Sequence, residues 1–288
     1  MKVVRRPDEL EPVDRSVAIG SFDGVHLGHQ RVLEAARAAG SPAAVVTFWP
    51  HPRLVLGNQV ELLSTLERRL ELLEEAGMDE VLVVEFTSDL ARREPAEFAE
   101  SVLREIRANP IAVGENFRFG RGAAGDPALL EQLGFDVRVA PHLDGVSSTE
   151  IRTLVREGDV VAAAGLLGRP AEVEGTVVPG FQRGGTLGYP TANLAVAANL
   201  LVPAYGIYAG AAQGHRAAVS IGINPHYGGN ERRIEPFLLD FDGDLYGQRL
   251  VVELWERLRD EQAFASEAEL VAQIARDVEQ TRAATRPH

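Results

Sequence analysis

The sequence predicts two differently built domains. A doubly wound parallel α/β sheet is expected over residues 1–169, and a small antiparallel β-barrel with a C-terminal helix over 170–288. Three observations carry this. The length of 288 residues is near twice that of an average domain, which is ~150. Through the first half, short β-branched runs alternate with helical patterns, the signature of a parallel sheet. After Val173 the chain reads as strands separated by Gly, Pro and Asn without intervening helices, as small barrels do.

Element by element, 16–21 (SVAIGS) reads as a strand and 30–39 as a helix stopped by Gly40 at C′. A second strand is expected at 43–48. Ser64-Thr65-Leu66-Glu67 has the capping-box pattern and opens a helix ending at Gly77. Strands at 81–86, 111–114 and 137–140 and a helix at 95–107 continue the alternation. Two helical stretches after Thr149 run to about Leu167, and the domain boundary is placed at 168–171. The barrel strands are expected at 173–178, 206–213, 216–223, 233–240 and 249–256. A last helix starts at the capping box Ser266-Glu267-Ala268-Glu269 and carries Leu270, Ile274 and Val278 at spacing four.

Composition narrows the chemistry. At 45% hydrophobic and 25% charged residues the chain is an ordinary soluble globular one. It has no cysteine, which removes disulfides, thiolate metal sites and cysteine nucleophiles, and a cytoplasmic location is expected. Lys2 is the single lysine, so a P-loop and Schiff-base chemistry are excluded. Phosphate must be handled by arginine, histidine, backbone amides or metal. The net charge of −13 is spread evenly: 19 basic against 27 acidic residues up to Arg169, and 10 against 15 beyond it. That disfavours a nucleic-acid binder. No signal peptide is visible. The uncharged stretch between Arg183 and His215 holds prolines, asparagines and glycines, so it reads as ligand-facing loop and strand rather than a membrane span.

Two segments carry the candidate chemistry. The first is Gly20-Ser21-Phe22-Asp23-Gly24-Val25-His26-Leu27-Gly28-His29, between a strand and a helix. Histidines three apart share a helix face. Gly20, Gly24 and Gly28 permit close approach of a ligand, and the helix N-terminus offers free N–H groups to phosphate. A zinc pair is the alternative, without an obvious third ligand. Asp23 suits either a metal or the ordering of the loop. Ser147-Ser148-Thr149, followed by Arg152, supplies hydroxyls, amides and a bidentate phosphate binder at another helix start.

The second segment is 184–193 (GGTLGYPTAN), in which Gly188 and Pro190 shape a turn and Thr191 and Asn193 point to one side of an extended chain. Their hydroxyl and amide oxygens suit Mg²⁺ beside nucleotide phosphates, and a plain Gly-rich hairpin is the competing reading. Glu235 alternates with Arg233 and Phe237 on one strand face.

These segments resemble known enzymes in order along nearly the whole chain. His26-Leu27-Gly28-His29 resembles the HxGH signature of nucleotidyltransferases. More narrowly, 20–30 (GSFDGVHLGHQ), 47–52 (TFWPHP), 113–120 (VGENFRFG) and 147–152 (SSTEIR) resemble the FMN adenylyltransferase module of bacterial bifunctional riboflavin kinase/FAD synthetases. The stretch from Gly184 to Asn193, with 221–225 (IGINP), Glu235 and 238–241 (LLDF), resembles their riboflavin kinase module.

The resemblance implies phosphorylation of riboflavin by ATP to FMN. AMP transfer from a second ATP to FMN would follow, giving FAD and pyrophosphate, with Mg²⁺ as cofactor and neither nucleic acid nor membrane as partner. It further implies that His26 and His29 stabilise the transferring phosphorus and Arg152 the leaving pyrophosphate. Gly20, Phe22, Asp23, Gly24, Gly28, Asn116, Ser147, Ser148 and Thr149 would bind the substrates there. In the barrel, Gly188, Pro190, Thr191 and Asn193 would bind ATP, Thr191 and Asn193 would hold Mg²⁺, and Glu235 would be the base. Three departures stand out: Asn116 where Asp is common, Gly184-Gly185 where Gly-Arg is common, and His226-Tyr227 where Thr-Phe is usual. Rival readings are another nucleotidyltransferase with the barrel as substrate module, and a flavin-binding protein without catalysis.

Overall fold

The structure, a computed structural model, describes residues 1–40, 42–180, 188–223 and 232–288. The chain divides into two compact units, Met1–Ser148 and Thr149–His288.

The first unit is built on a six-stranded parallel sheet in the order β1-β4-β3-β2-β5-β6. Its strands are β1 (Lys2–Val4), β2 (Arg15–Ile19), β3 (Ala43–Trp49), β4 (Glu80–Glu85), β5 (Ala108–Gly114) and β6 (Val137–Ala140). The order reverses beside β2, and ligands of doubly wound sheets lie at the carboxyl ends of strands at such a point. All five residues of β2 are buried, as a central parallel strand covered on both faces requires. One core cluster includes Val17, Ile19, Phe98, Leu103 and Ile111; the other includes Ala18, Phe22, Leu33, Val45 and Leu73.

Helix α1 (Leu27–Ala39) begins three residues earlier than expected, because His26 itself is the N-cap. The helix α2 (Pro52–Val55) follows β3. In α3 (Leu66–Glu75) the cap is Thr65, whose hydroxyl accepts from the Arg68 N–H, and not Ser64 as the capping-box reading expects. Ser64 is used elsewhere: its hydroxyl donates to Asp23 and accepts from the Gly24 N–H. A short α4 (Ser88–Ala91) follows β4. The helix expected at 95–107 is α-helical only in α5 (Pro95–Phe98) and continues as a π-helix over Ala99–Arg104. Between β5 and β6 lies α6 (Pro127–Gln132), capped by Asp126.

Two helices, α7 (Ser148–Glu157) and α8 (Val160–Leu167), lead into the second sheet. Six strands follow: β7 (Ala171–Val178), β8 (Asn193–Ala195), β9 (Gly206–Ala212), β10 (His215–Ile223), β11 (Arg232–Leu238) and β12 (Arg249–Arg259). They run in the order β11-β10-β9-β12-β7-β8 with antiparallel pairs throughout. The Ala192 N–H donates to the Pro236 carbonyl at 2.9 Å, drawing the start of β8 to β11 and nearly closing the barrel. The strand β8 is an addition to the expected set; at three residues it is too short to show a period of two. The C-terminal helix (Glu267–Ala283) is capped by Ser266, as its capping pattern predicts.

One buried ion pair holds the first sheet's strand ends. Arg15, fully buried, donates through Nε to Glu80 at 2.9 Å, through Nη2 to the Glu11 carbonyl at 2.7 Å, and through Nη1 to the Ile106 carbonyl. Replacing it leaves the Glu80 carboxylate without its cation, a loss of ~3–5 kcal/mol for a broken buried pair. Arg15→Leu is therefore expected to lower the urea midpoint of the first unit, followed by circular dichroism, by a corresponding amount; an unchanged midpoint would show the pair to be incidental.

Candidate active sites

The loop from the end of β2 to the start of α1 is held in a conformation that few residues adopt. Phe22 (φ 50°) and Val25 (φ 39°) both lie in the left-handed region, and both are buried. Such backbone persists only where the surroundings over-determine it. Here Asp23, itself buried, accepts hydrogen bonds from the Leu63 N–H (3.1 Å to each oxygen), the Ser64 N–H (3.2 Å) and the Ser64 hydroxyl (3.3 Å). The buried Arg69 guanidinium approaches it to 3.6 Å. Of the two roles Asp23 suits, the structure displays the ordering of the loop. Ser148 adds a hydroxyl donating to the Asp23 carbonyl at 3.4 Å, and Thr47 one to the Ser21 carbonyl at 3.2 Å.

The histidines emerge from this loop as a fixed pair. Nδ1 of His26 accepts the His29 backbone N–H at 3.3 Å, which leaves Nε2 of a neutral His26 as the donor. The two rings stack with centroids 3.6 Å apart and planes at 17°, and Phe22 packs edge-on against His29 at 5.3 Å. Gly28 makes this possible: a Cβ there would lie 3.1 Å from the His26 ring. Both imidazoles thus lie at the start of α1, where a helix favours anions.

Two cavities meet here, sharing Gly20 and Phe117. One, of about 210 Å³, is lined by His26, Gly28, His29, Gly114, Asn116 and His142. The other, of about 400 Å³, is walled by Phe48, Phe86, Phe98, Phe117, Phe119 and Leu90. Its rings pack on one another, Phe117 on Phe119 at 5.5 Å and Phe48 edge-on to Phe86 at 5.8 Å. An apolar aromatic slot beside a largely apolar one into which imidazoles are set suits a planar ring system carrying a phosphate. Nothing in the sequence around Phe86, Phe98 and Leu90 marks them as site residues; they come from separate elements, and only the fold assembles them.

Arg152 is buried within α7, and Thr149 lies in the first turn of that helix. Both fall in the second unit, whereas Ser147 and Ser148 belong to the first.

In the barrel, a cavity of about 170 Å³ is lined by Pro190, Thr191, Ala192, Phe241, Asp244 and Tyr246, among others. Gly188 sits at φ +85°, a turn conformation that glycine adopts without strain. Asn193 opens β8, and its side chain lies so close to Gly180 that no Cβ fits there. On β11, Ile234, Pro236 and Leu238 are buried while Arg233, Glu235 and Phe237 alternate with them, half-buried on the opposite face. Tyr189 packs edge-on against Phe237 at 5.4 Å, which ties the 189–193 segment to the face carrying Glu235. Glu235 is not among the residues lining the Thr191 cavity. Burial raises its carboxyl above the usual range, opposed by Arg233 at 4.0 Å. Gly184, Gly185, Thr186, Leu187, Asn224, Pro225, His226 and Tyr227 lie outside the described residues.

The chain matches the family model described as FAD synthetase over residues 9–152 and that described as riboflavin kinase over 167–285. A bifunctional riboflavin kinase/FMN adenylyltransferase from Escherichia coli is 35% identical, covering 96% of each chain. One of the same name from Listeria monocytogenes is 34% identical over 96% of this chain and 94% of its own. The chain belongs to the bifunctional riboflavin kinase/FMN adenylyltransferase family. A solved structure from Streptococcus pneumoniae, described as a macrolide-efflux protein, shares the fold with a TM-score of 0.86 at 31% identity, covering 97% of this chain and 98% of that one. Among the described residues no helix is long and apolar enough to cross a membrane.

Within this family member, Gly24 is a direct test of the loop. It sits at φ +79°, and a Cβ would meet Leu63 at 2.8 Å. Gly24→Ala adds left-handed strain of ~1–2 kcal/mol to that clash. The expected result is a steep fall in conversion of FMN to FAD with FMN formation from riboflavin unchanged, both read by chromatography of the flavins.

Proposed function

We propose that this chain makes FAD from riboflavin in two steps, the barrel carrying the first and the parallel-sheet unit the second. The protein phosphorylates riboflavin to FMN with ATP, then adenylylates FMN with a second ATP and releases pyrophosphate. The observation that carries the division of labour is the stacked His26–His29 pair at the start of α1, lining a cavity that adjoins an aromatic one.

In the adenylylation step the aromatic cavity takes the isoalloxazine ring and the neighbouring histidine-lined cavity takes ATP. The FMN phosphate oxygen attacks the α-phosphorus in line, the bond to the bridging oxygen breaks, and pyrophosphate leaves. His26 and His29, with the amides at the start of α1, stabilise charge on the five-coordinate phosphorus. Gly20, Phe22, Gly24 and Gly28 shape this cradle, with Asn116, Ser147, Ser148 and Thr149 at the nucleotide and Arg152 on the leaving pyrophosphate.

In the kinase step Glu235 accepts the proton of the riboflavin 5′-hydroxyl as that oxygen attacks the γ-phosphorus of ATP, and ADP leaves. Gly188 and Pro190 hold the turn that presents Thr191 and Asn193. Their neutral hard oxygens, with Asp244 on the same cavity as Thr191, fit Mg²⁺ held jointly with nucleotide phosphates. Among the described residues no group of three or more His, Cys, Asp or Glu could hold a metal alone. When bound, Mg²⁺ would neutralise polyphosphate charge in both reactions, which a chain with one N-terminal lysine does not do with lysine. The cytoplasm, where ATP is supplied, fits both steps.

The two active centres separate by mutation. His29→Ala should reduce FAD formation by about 100-fold or more while FMN accumulates at the normal rate. Glu235→Ala should stop phosphorylation of riboflavin while supplied FMN is still adenylylated. A folded variant that loses both activities would overturn the assignment.

The kinase should also show a displaced acid limb. Glu235 works as a base only when ionised, and burial raises its pKa, so kcat/KM for riboflavin should fall with decreasing pH through a value above that of an ordinary carboxylate. Arg233→Gln removes the opposing cation and should move that limb to still higher pH.

A further inference from the structure

A second carboxylate shares the strand face that carries Glu235. Gly222, near the end of β10, pairs directly with Arg233, and Ser220 pairs with Glu235. Directly opposed residues of antiparallel strands place their side chains on one face. A Cβ added to Gly222 would fall on the Glu261 carboxyl group, so Glu261 lies against bare backbone on that same face. Its carboxylate accepts the Ile223 N–H and is near Arg259. Arg259 is in turn fixed by Asp277 of the C-terminal helix, through hydrogen bonds of 2.9 and 2.6 Å, and lies 6.0 Å from the Phe264 ring. Partial burial pushes the Glu261 carboxyl up, and the backbone bond and Arg259 hold it down.

Neither reaction, with the residues assigned to it so far, uses Glu261. An ionised carboxylate offers about four acceptor positions, and the Ile223 amide takes one. Its charge repels the phosphates of ATP, so the ligand group it suits is a neutral donor. Along the strands, the Gly222/Arg233 pair is two residues from the Ser220/Glu235 pair, about 7 Å. A polyol chain built of C–C bonds of about 1.5 Å places its first secondary hydroxyl roughly 5–6 Å from its terminal one.

We propose that Glu261 is a flavin-binding residue of the kinase, accepting a hydrogen bond from the 2′-hydroxyl of riboflavin while Glu235 takes the proton of the 5′-hydroxyl. The assignment rests on Glu235 being the kinase base. Gly222 is then glycine because a side chain there would displace the carboxylate from the polyol.

The test compares riboflavin with 2′-deoxyriboflavin on the full-length chain with ATP and Mg²⁺. A hydrogen bond to a charged group corresponds to about 10- to 100-fold in kcat/KM. The wild-type protein should discriminate against the deoxy analogue by that factor. Glu261→Gln should lose a similar factor with riboflavin, mainly in KM, and discriminate little between the two flavins. Gly222→Ala should behave likewise, because it moves the carboxylate without removing it. Adenylylation of supplied FMN should stay at the wild-type rate in both variants, showing that they are folded. Undiminished discrimination in Glu261→Gln, absence of discrimination in the wild type, or an unchanged riboflavin KM in the variant would each overturn the proposal. Full FMN formation by Glu235→Ala would instead refute the base assignment on which it rests.

Discussion

The loop that opens the first candidate site depends on one buried carboxylate. Asp23 draws the backbone of Leu63 and Ser64 onto the loop that follows β2, with the Arg69 guanidinium beside it. Without that anchor, two buried residues at positive φ, Phe22 and Val25, would relax toward ordinary backbone. His26 would then no longer cap α1, and the stacked imidazoles would lose their seat. The strain lies in the loop and is offset by a salt-bridged hydrogen-bond cluster from a different part of the chain. The Asp23 oxygens thereby order the loop from within the protein.

The second unit is organised by arginines that reach from strands to buried acids. Arg249 on β12 donates to Glu174 on β7 at 2.9 and 2.6 Å, and Arg259 at the end of β12 meets Asp277 in the C-terminal helix. Arg216 on β10 donates to the carbonyls of Thr281 and Ala284 at the end of the same helix, and its guanidinium lies 5.0 Å from the Trp255 ring. These bonds set the helix against the barrel in a register that apolar packing alone would leave free to slide. The planar, multiply donating guanidinium suits bidentate and carbonyl-bridging roles better than an ammonium. The near-absence of lysine therefore has a structural consequence as well as a chemical one.

The parts of the fold legible in the sequence are those with local causes. Alternating β-branched runs and helical patterns announce the parallel sheet, and the Gly/Pro/Asn-punctuated strands announce the barrel. The Ser266 cap and the histidine-bearing helix start are also readable from a few neighbouring residues. What escapes has non-local causes. Ser64 looks like an N-cap until Asp23 claims its hydroxyl, after which Thr65 caps α3. The strand β1 exists because β4 offers it an edge, and β8 because Val178 and its neighbours do. Phe86, just beyond β4, and Phe98, at the end of α5, become walls of one cavity only when the chain folds back between them. Gly222 looks like a strand glycine in a motif; the carboxylate that occupies its missing side chain comes from thirty-nine residues downstream.

The same division between local and distant causes bears on how an acidic chain handles phosphate. A net charge of −13 repels polyanions at long range, so attraction must be arranged at short range. In the proposed adenylylation site, helix amides and an imidazole donor would do this without adding a mobile cation, because their partial charges are fixed by the backbone and by packing. A lysine on a flexible stem would supply more charge but would have to be ordered each time substrate binds. The His26–His29 rings are already stacked in the protein alone, so in the proposed site they would stand in place before a nucleotide arrives. Preorganisation of this kind lowers the reorganisation cost of reaching the transition state, and the strained loop that enforces it is the structural counterpart of that gain.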